Sequence, residues 1–323
     1  MTSAAPSPLV VGVDVGGSKV LAAEVTSNGE VVTTAVRVTP GRLVEATLVE
    51  DALDLAVTDV ARGRPVDAVG LAAAGFVDAA GERVMFAPHL PWREEPVRAR
   101  LADRWGTLVV LDNDANCAAR AELAHGAAQE AADAVVVTMG TGIGGAVVVG
   151  GQVQRGSNGM AGEFGHAQVV PDGHPCECGH RGCWEQYSSG NALVRLARAR
   201  VGREPTLLEE LCGGDPALLT GPMITRAAED GDLVARQAFA SVGDWLGVGL
   251  ANLVAALDPE VVVVGGGVSA AGDRLLEPAR AALRRALVGA PHRVVPPIRR
   301  ARYGPEAGAV GAALLAWAEI GRN

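Results

Sequence analysis

Apolar residues fill the stretch from Leu9 to Val15, a Gly16-Gly17 pair follows, and Val20 to Val25 is apolar again. Two short apolar runs around paired glycines predict a hairpin of buried strands, and Val31 to Val38, after the Ser27-Asn28-Gly29 turn, predicts a third strand beside them. From Leu43 to Ala61 the period changes, with leucine and valine at helical spacing and Asp and Glu between them, before Val66 to Leu71 returns to a short strand. Helix, strand and helix are expected next, through Arg104, over Leu108 to Leu111 and over Ala115 to His125. Ala134 to Val149 then repeats the opening pattern about 124 residues further on, which reads as an internal duplication. Gly156 to Gly190 is irregular and rich in Gly, Pro and Cys. Several helices follow, the clearest being Asp232 to Leu257. The strand Val261 to Val264 leads into Gly265-Gly266-Gly267 and a helix near Asp273 to Leu287. A strand around Arg293 to Ala301 and an apolar helix from Glu306 to Ile320 finish the chain. Strands alternating with helices in this way place the fold in the α/β class.

Composition narrows the partners. With 323 residues, 49% of them hydrophobic and 20% charged, the chain can bury a sizeable core and is long enough for two domains joined by a cleft. A net charge of -9 argues against nucleic-acid or anionic-membrane surfaces, which recruit proteins through Lys and Arg, and favours a small-molecule partner. Met1 to Pro8 carries no basic stretch and Asp14 interrupts the first apolar run, so no secretory signal is expected. Ala134 to Gln154 is 21 residues without a charge, long enough to cross a bilayer, but six of them are glycines and a strand-turn-strand fits better than a membrane helix.

Three glycine clusters are candidate phosphate or nucleotide contacts. Asp14-Val15-Gly16-Gly17-Ser18-Lys19 places an acid at a strand end before glycines whose amides can approach an anion. Lys19 is the only lysine among 28 basic residues, which marks the loop out. Thr138-Met139-Gly140-Thr141-Gly142-Ile143-Gly144-Gly145 is similar to a dinucleotide fingerprint, but valines rather than a helix follow it, so a hairpin cradle for phosphate fits better. Gly265 to Gly267 lies at a strand end where a nucleotide base could stack.

Cys176, Cys178 and Cys183 sit within eight residues, with Gly179 and Gly182 to fold the loop, and an odd count of five cysteines crowded this way suits a metal better than disulfides. Tetrahedral zinc needs a fourth ligand, for which spacing leaves His166, His174 and His180 open. Leu108 to Leu111 runs into Asp112-Asn113-Asp114 just before a helix. Either aspartate could simply cap that helix. With Glu163, His166 and Glu185 as further donors and acceptors, the same cluster could instead recognise sugar hydroxyls, with Asp114 as general base.

These motifs together resemble the ROK family of sugar kinases and sugar-responsive repressors over nearly the whole chain, and most closely its actinobacterial, ATP-dependent, glucose-phosphorylating members. The resemblance implies an actin-like (ribonuclease H-like) two-lobed fold with internal duplication, residues 1–112 plus 305–323 forming a small lobe and 113–304 a larger one that carries the metal loop and the oligomer interface. It implies a first phosphate motif in Asp14, Gly16, Gly17, Ser18 and Lys19, with Ser18 where threonine is usual. A second phosphate motif would lie in Thr138, Gly140, Thr141 and Gly142, and an adenosine motif in Gly265, Gly266 and Gly267. Sugar ligands would be Gly75, Asn113, Asp114, Glu163, His166 and Glu185, with Asp114 catalytic. His166 would join Cys176, Cys178 and Cys183 around a structural zinc, while His174 and His180 fall outside the motif. The implied reaction transfers phosphate from ATP with Mg2+ to the 6-hydroxyl of glucose, in a cytoplasmic homodimer or homotetramer. Related kinases act on other hexoses or use polyphosphate, for which a basic track would be expected. The repressor branch would need a DNA-binding domain ahead of the first strand, where eight residues precede Leu9.

Overall fold

A computed structural model of the chain describes residues 7–322, so most of the Met1 to Pro8 stretch, on which the expectation about a signal segment rests, lies outside the described residues. The first strands form as the apolar pattern requires: β1 (Val10–Val15), β2 (Lys19–Val25) and β3 (Val31–Val38) make an antiparallel meander. Helix α1 (Ala46–Ala61) packs its Val49, Leu53, Ala56 and Val60 against it. The chain then returns as β4 (Ala68–Ala73), parallel to β1. A small antiparallel sheet of β5 (Phe76–Val77), β6 (Val84–Phe86) and β7 (Arg93–Glu95) precedes α2 (Val97–Trp105), β8 (Leu108–Asn113) and α3 (Asp114–His125). The first large sheet has the order β3-β2-β1-β4-β8, with β4 and β8 parallel.

The second copy begins with β9 (Ala134–Met139), β10 (Ile143–Val149) and β11 (Gln152–Gln154). After the irregular cysteine-rich stretch come α4 (Gly190–Arg198), α5 (Leu207–Leu211), α6 (Gly221–Glu229) and α7 (Leu233–Leu257). By length and composition α7 could cross a membrane, yet its Phe239, Val242, Leu246 and Leu250 are core residues against α8. β12 (Val261–Gly265), α8 (Asp273–Ala286) and β13 (Ile298–Arg300) complete a sheet of order β11-β10-β9-β12-β13, and α9 (Ala307–Ile320) closes the chain. The order of the second sheet matches that of the first strand for strand, which is the duplication read from the sequence. The strand expected from Arg293 to Ala301 is shorter because Pro296 and Pro297 have no N–H to give to a ladder.

By internal contacts the chain forms two units, Met1–Ala131 with Ala146–Gly162 and Arg302–Asn323, and Ala132–Gly145 with Glu163–Ala301. Compared with the expected 1–112 plus 305–323, the first unit also takes in residues 113–131, which include α3, with 146–162 and 302–304. Close helix packing explains α3: a side chain on Gly311 of α9 would collide with the Cys117 carbonyl of α3. The same helix lies flat on the sheet because Gly12 of β1 and Gly70 of β4 leave room for the carbonyls of Ala309 and Ala312.

Candidate active site

In the first unit the candidate residues share one end of the parallel strands. Val15 of β1 is in register with Ala73 of β4, and Ala73 with Asn113 of β8, so Gly16, Gly75 and Asn113-Asp114 follow three adjacent strand ends. In α/β sheets the carboxyl ends of parallel strands are where ligands bind. The first loop is tight, with Gly16 N–H donating to the Lys19 carbonyl at 3.0 Å. Thr39, a buried residue that belongs to no recognisable motif, holds it from outside. Its hydroxyl donates to Gly16 O at 2.7 Å and its amide to Ser18 O at 3.2 Å.

Asn113, and neither of the flanking aspartates, caps α3. Its Oδ1 accepts from the amides of Ala115 (2.9 Å) and Asn116 (3.1 Å), while its Nδ2 donates to Gly75 O at 3.1 Å and to Asp114 Oδ1 at 3.0 Å. Asp112 is buried beneath this joint. Its Oδ1 accepts from the Asn113 amide (2.9 Å) and Asn116 Nδ2 (3.1 Å), and its Oδ2 from Arg120 (3.0 Å) and Arg155 Nε (3.1 Å). A buried carboxylate with two guanidiniums and two amides is fully satisfied, so Asp112 anchors the turn that aims Asp114. Sequence reading missed both arginines because they lie 8 and 43 residues away.

Asp114 and Asp14 carry the electrostatic signature of a working site. Burial pushes the Asp114 carboxyl up to about 6, against the opposing effect of the Ala115 amide, its own amide and the Asn113 side chain. Asp14 is pushed up to about 7 by burial and by the charge of Asp114, with Lys19 pulling the other way. An acid whose ionised form is disfavoured by burial and by a neighbouring carboxylate suits a divalent cation, and Asp14 is a hard oxygen donor of the kind Mg2+ takes, directly or through water.

A consequence is measurable without substrate. Because both folded-state values lie above the unfolded value of about 3.8, the stability these protonated groups contribute is complete below that pH and is lost as pH rises through about 6 to 7. Asp14→Asn in the metal-free protein is therefore expected to be more stable than the parent at pH 8, by on the order of 1–3 kcal/mol, with the gain vanishing near pH 4. Urea unfolding at both pH values checks this; equal stability at pH 8 contradicts it.

In the second unit, Thr138 at the end of β9 is in register with Gly265 at the end of β12, which sets the second phosphate loop beside the third glycine cluster. Gly266 needs to be glycine twice over, since its φ is +80° and a Cβ would stand 2.5–2.7 Å from the Met139 backbone. The loop is tied to the start of α4 by Gly190 N–H donating to Gly140 O at 2.9 Å and Asn191 N–H to Thr141 O at 3.3 Å. Ile143 begins a strand, as the valines after it predicted.

The metal cluster also assembles. His166, Cys176, Cys178 and Cys183 present ligand atoms all within 4.8 Å of one another. Cys178 Sγ is 3.6 Å from Cys183 Sγ, and Cys176 Sγ is 3.7 Å from His166 Nδ1. Tetrahedral zinc with Zn–S near 2.3 Å requires sulfur separations of about 3.8 Å, so the set fits the ion. Of the histidines left open by spacing, His174 instead packs its ring against Tyr187 (centroids 5.3 Å apart). His180 lies 3.6 Å from Cys178 Sγ but outside the four-atom group.

Glu185 links this cluster to the phosphate loop. Its Oε1 lies 3.1 Å from Cys176 Sγ and 3.8 Å from His166 Nδ1, while its Oε2 accepts from the Ile143 amide at 3.4 Å and would collide with any side chain on Gly142. Glu163 opens the 3-10 turn Phe164–His166, and Gly165 in that turn packs on the Ile143 carbonyl.

The ROK family model matches residues 10–319. The chain is 41% identical to a glucokinase of Streptomyces coelicolor over 311 residues, 95% of this chain and 97% of that one. It superposes with a TM-score of 0.90 and 43% identity on the crystal structure of a ROK family glucokinase from Streptomyces griseus in complex with glucose and AMPPNP, covering 96% of this chain and 99% of that one. A ROK hexokinase from Thermus thermophilus gives a TM-score of 0.75 at 35% identity, covering 97% and 99%.

Proposed function

The chain belongs to the ROK family, and we propose that it is a glucokinase, transferring the γ-phosphoryl group of ATP to the 6-hydroxyl of D-glucose to give glucose 6-phosphate and ADP. The observation that carries this reading is Asp114. It is a carboxylate held at the joined ends of three strands, anchored from below through Asp112, with its pKa raised to about 6 so that it can take a proton near neutral pH. Gly75, Asn113, Asp114, Glu163, His166 and Glu185 would bind the sugar. With Nδ1 turned to the cysteines, His166 keeps Nε2 for a hydroxyl.

Asp14, Gly16, Gly17, Ser18 and Lys19, with Thr138, Gly140, Thr141 and Gly142, would surround the phosphates, and Gly265, Gly266 and Gly267 the adenosine. Asp114 accepts the sugar's proton while amides and Lys19 receive the phosphoryl oxygens, and Asp14 would hold the Mg2+ that neutralises phosphate charge when bound. His166, Cys176, Cys178 and Cys183 would hold zinc, which fixes the loop carrying the sugar ligands. The enzyme is read as cytoplasmic and as a homodimer or homotetramer.

Assay of glucose, mannose, fructose and N-acetylmannosamine against ATP and polyphosphate tests the assignment. Glucose with ATP is expected to give the highest kcat/KM; a higher value for another sugar or for polyphosphate overturns it. In the same assay Lys19→Arg is expected to raise the KM for ATP or slow turnover while leaving nucleotide-free glucose binding unchanged. A compact ammonium meets one phosphate oxygen as a point charge, whereas a planar guanidinium needs more room and a set orientation. Parental kinetics for the variant would leave the phosphate to the loop amides and magnesium alone.

A further inference from the structure

The turn from Ala87 to Trp92, between β6 and β7, is built more heavily than a surface connection requires. Pro88 and Pro91 fix two of its φ angles, and the side chains of Leu90 and Trp92 are fully buried. Arg93 folds its guanidinium back to donate to the carbonyls of Ala87 (2.6 Å), Leu90 (2.9 Å) and Trp92 (2.6 Å), and lies 4.3 Å over the Phe86 ring. The polar side chain that this scaffold presents is His89. Its imidazole is exposed, and among the described residues no hydrogen bond or ion pair engages it.

His89 stands over the first glycine loop. A Cβ on Gly17 would overlap the Cβ of His89 and lie 3.1 Å from its Cγ, whereas one on Gly16 would meet nothing nearer than the Lys19 carbonyl at 3.8 Å. Neither glycine has a positive φ, so Gly17 is glycine because His89 occupies the space above it. A turn braced in this way sets the Cβ and Cγ of a histidine without a hydrogen-bond partner over a glycine loop whose amides and lysine suit an anion.

We propose that His89 is a further substrate-contacting residue, donating a hydrogen bond to the terminal phosphoryl group of the bound nucleoside triphosphate. The inference rests on the kinase reading above. It singles out the terminal phosphoryl because His89 shares its unit with Asp114, the residue that activates the acceptor of that group.

Calorimetric titration of His89→Ala and His89→Gln with AMPPNP, ADP and glucose, each with Mg2+, tests the proposal. For His89→Ala, AMPPNP binding is expected to weaken about tenfold, with ADP and glucose within about twofold of the parent and an unchanged unfolding midpoint. Glutamine, which keeps an N–H donor, is expected to recover part of the loss. Unaltered AMPPNP affinity, equal weakening of ADP and AMPPNP, or a loss confined to glucose each overturns it. Turnover of glucose by the parent protein in the same preparation tests the kinase reading separately.

Discussion

Asp114→Asn is expected to lower kcat by about 10²–10⁴-fold while leaving the Kd for glucose within about tenfold of the parent. The amide keeps the shape of the carboxylate and can still meet Asn113 and a sugar hydroxyl, but it cannot take the proton that leaves the 6-hydroxyl as the phosphoryl group arrives. The scaffold that aims the residue is untouched, because the cap is made by Asn113 and the anchor by Asp112 with Arg120 and Arg155. Glucose titration by intrinsic fluorescence, with turnover in a coupled assay, separates the two effects. Turnover near the parent's removes Asp114 from the role of base, and a Kd that rises in step with the loss of rate makes it foremost a sugar ligand.

The second large effect is expected at the metal loop. Purified protein should contain about one zinc per chain, and Cys178→Ser should lose most of it, unfold at a lower temperature and bind glucose more weakly. Cys178 lies 3.6 Å from Cys183, and the four-atom set of which both are part carries His166, the only ligand drawn from outside the cysteine loop. Losing one ligand of four frees the 163–166 turn and Glu185 together. Since Glu185 also touches Gly142 and the Ile143 amide, and Gly165 packs on the Ile143 carbonyl, ATP should bind more weakly as well. Elemental analysis, thermal unfolding and separate KM values for glucose and ATP read these out. A zinc-free, fully active and equally stable variant contradicts the assignment.

How much of this was legible depended on whether the signal was local. The two hairpins with glycine turns, the helices and the duplication follow from periodicity, and the two sheets repeat one strand order as that duplication implies. Cys176, Cys178 and Cys183 were legible from spacing, but the choice of histidine was not, because it turns on how the 164–166 turn folds back. The DND run marked a site, yet which residue caps α3 was decided by Asn113 reaching Gly75, 38 residues away in sequence. Asp112 reads as a cap or a ligand until Arg120 and Arg155 are found around it. The small sheet of β5, β6 and β7 was missed altogether, since strands of two or three residues carry no period, and with it went the turn that sets His89 over Gly17.

Transfer of the γ-phosphoryl group of ATP onto the 6-hydroxyl of glucose, with Asp114 as base, is the reaction proposed for this chain. The most direct measurement is phosphorus–proton correlation NMR on the product formed from glucose, ATP and Mg2+ by the parent protein and by Asp114→Asn. Phosphorus coupled to the C6 protons, ADP formed in equal amount, and product nearly absent with the variant are the expected result. Phosphate on another carbon, ATP hydrolysed without sugar phosphate, or product formed as fast by the variant would contradict it.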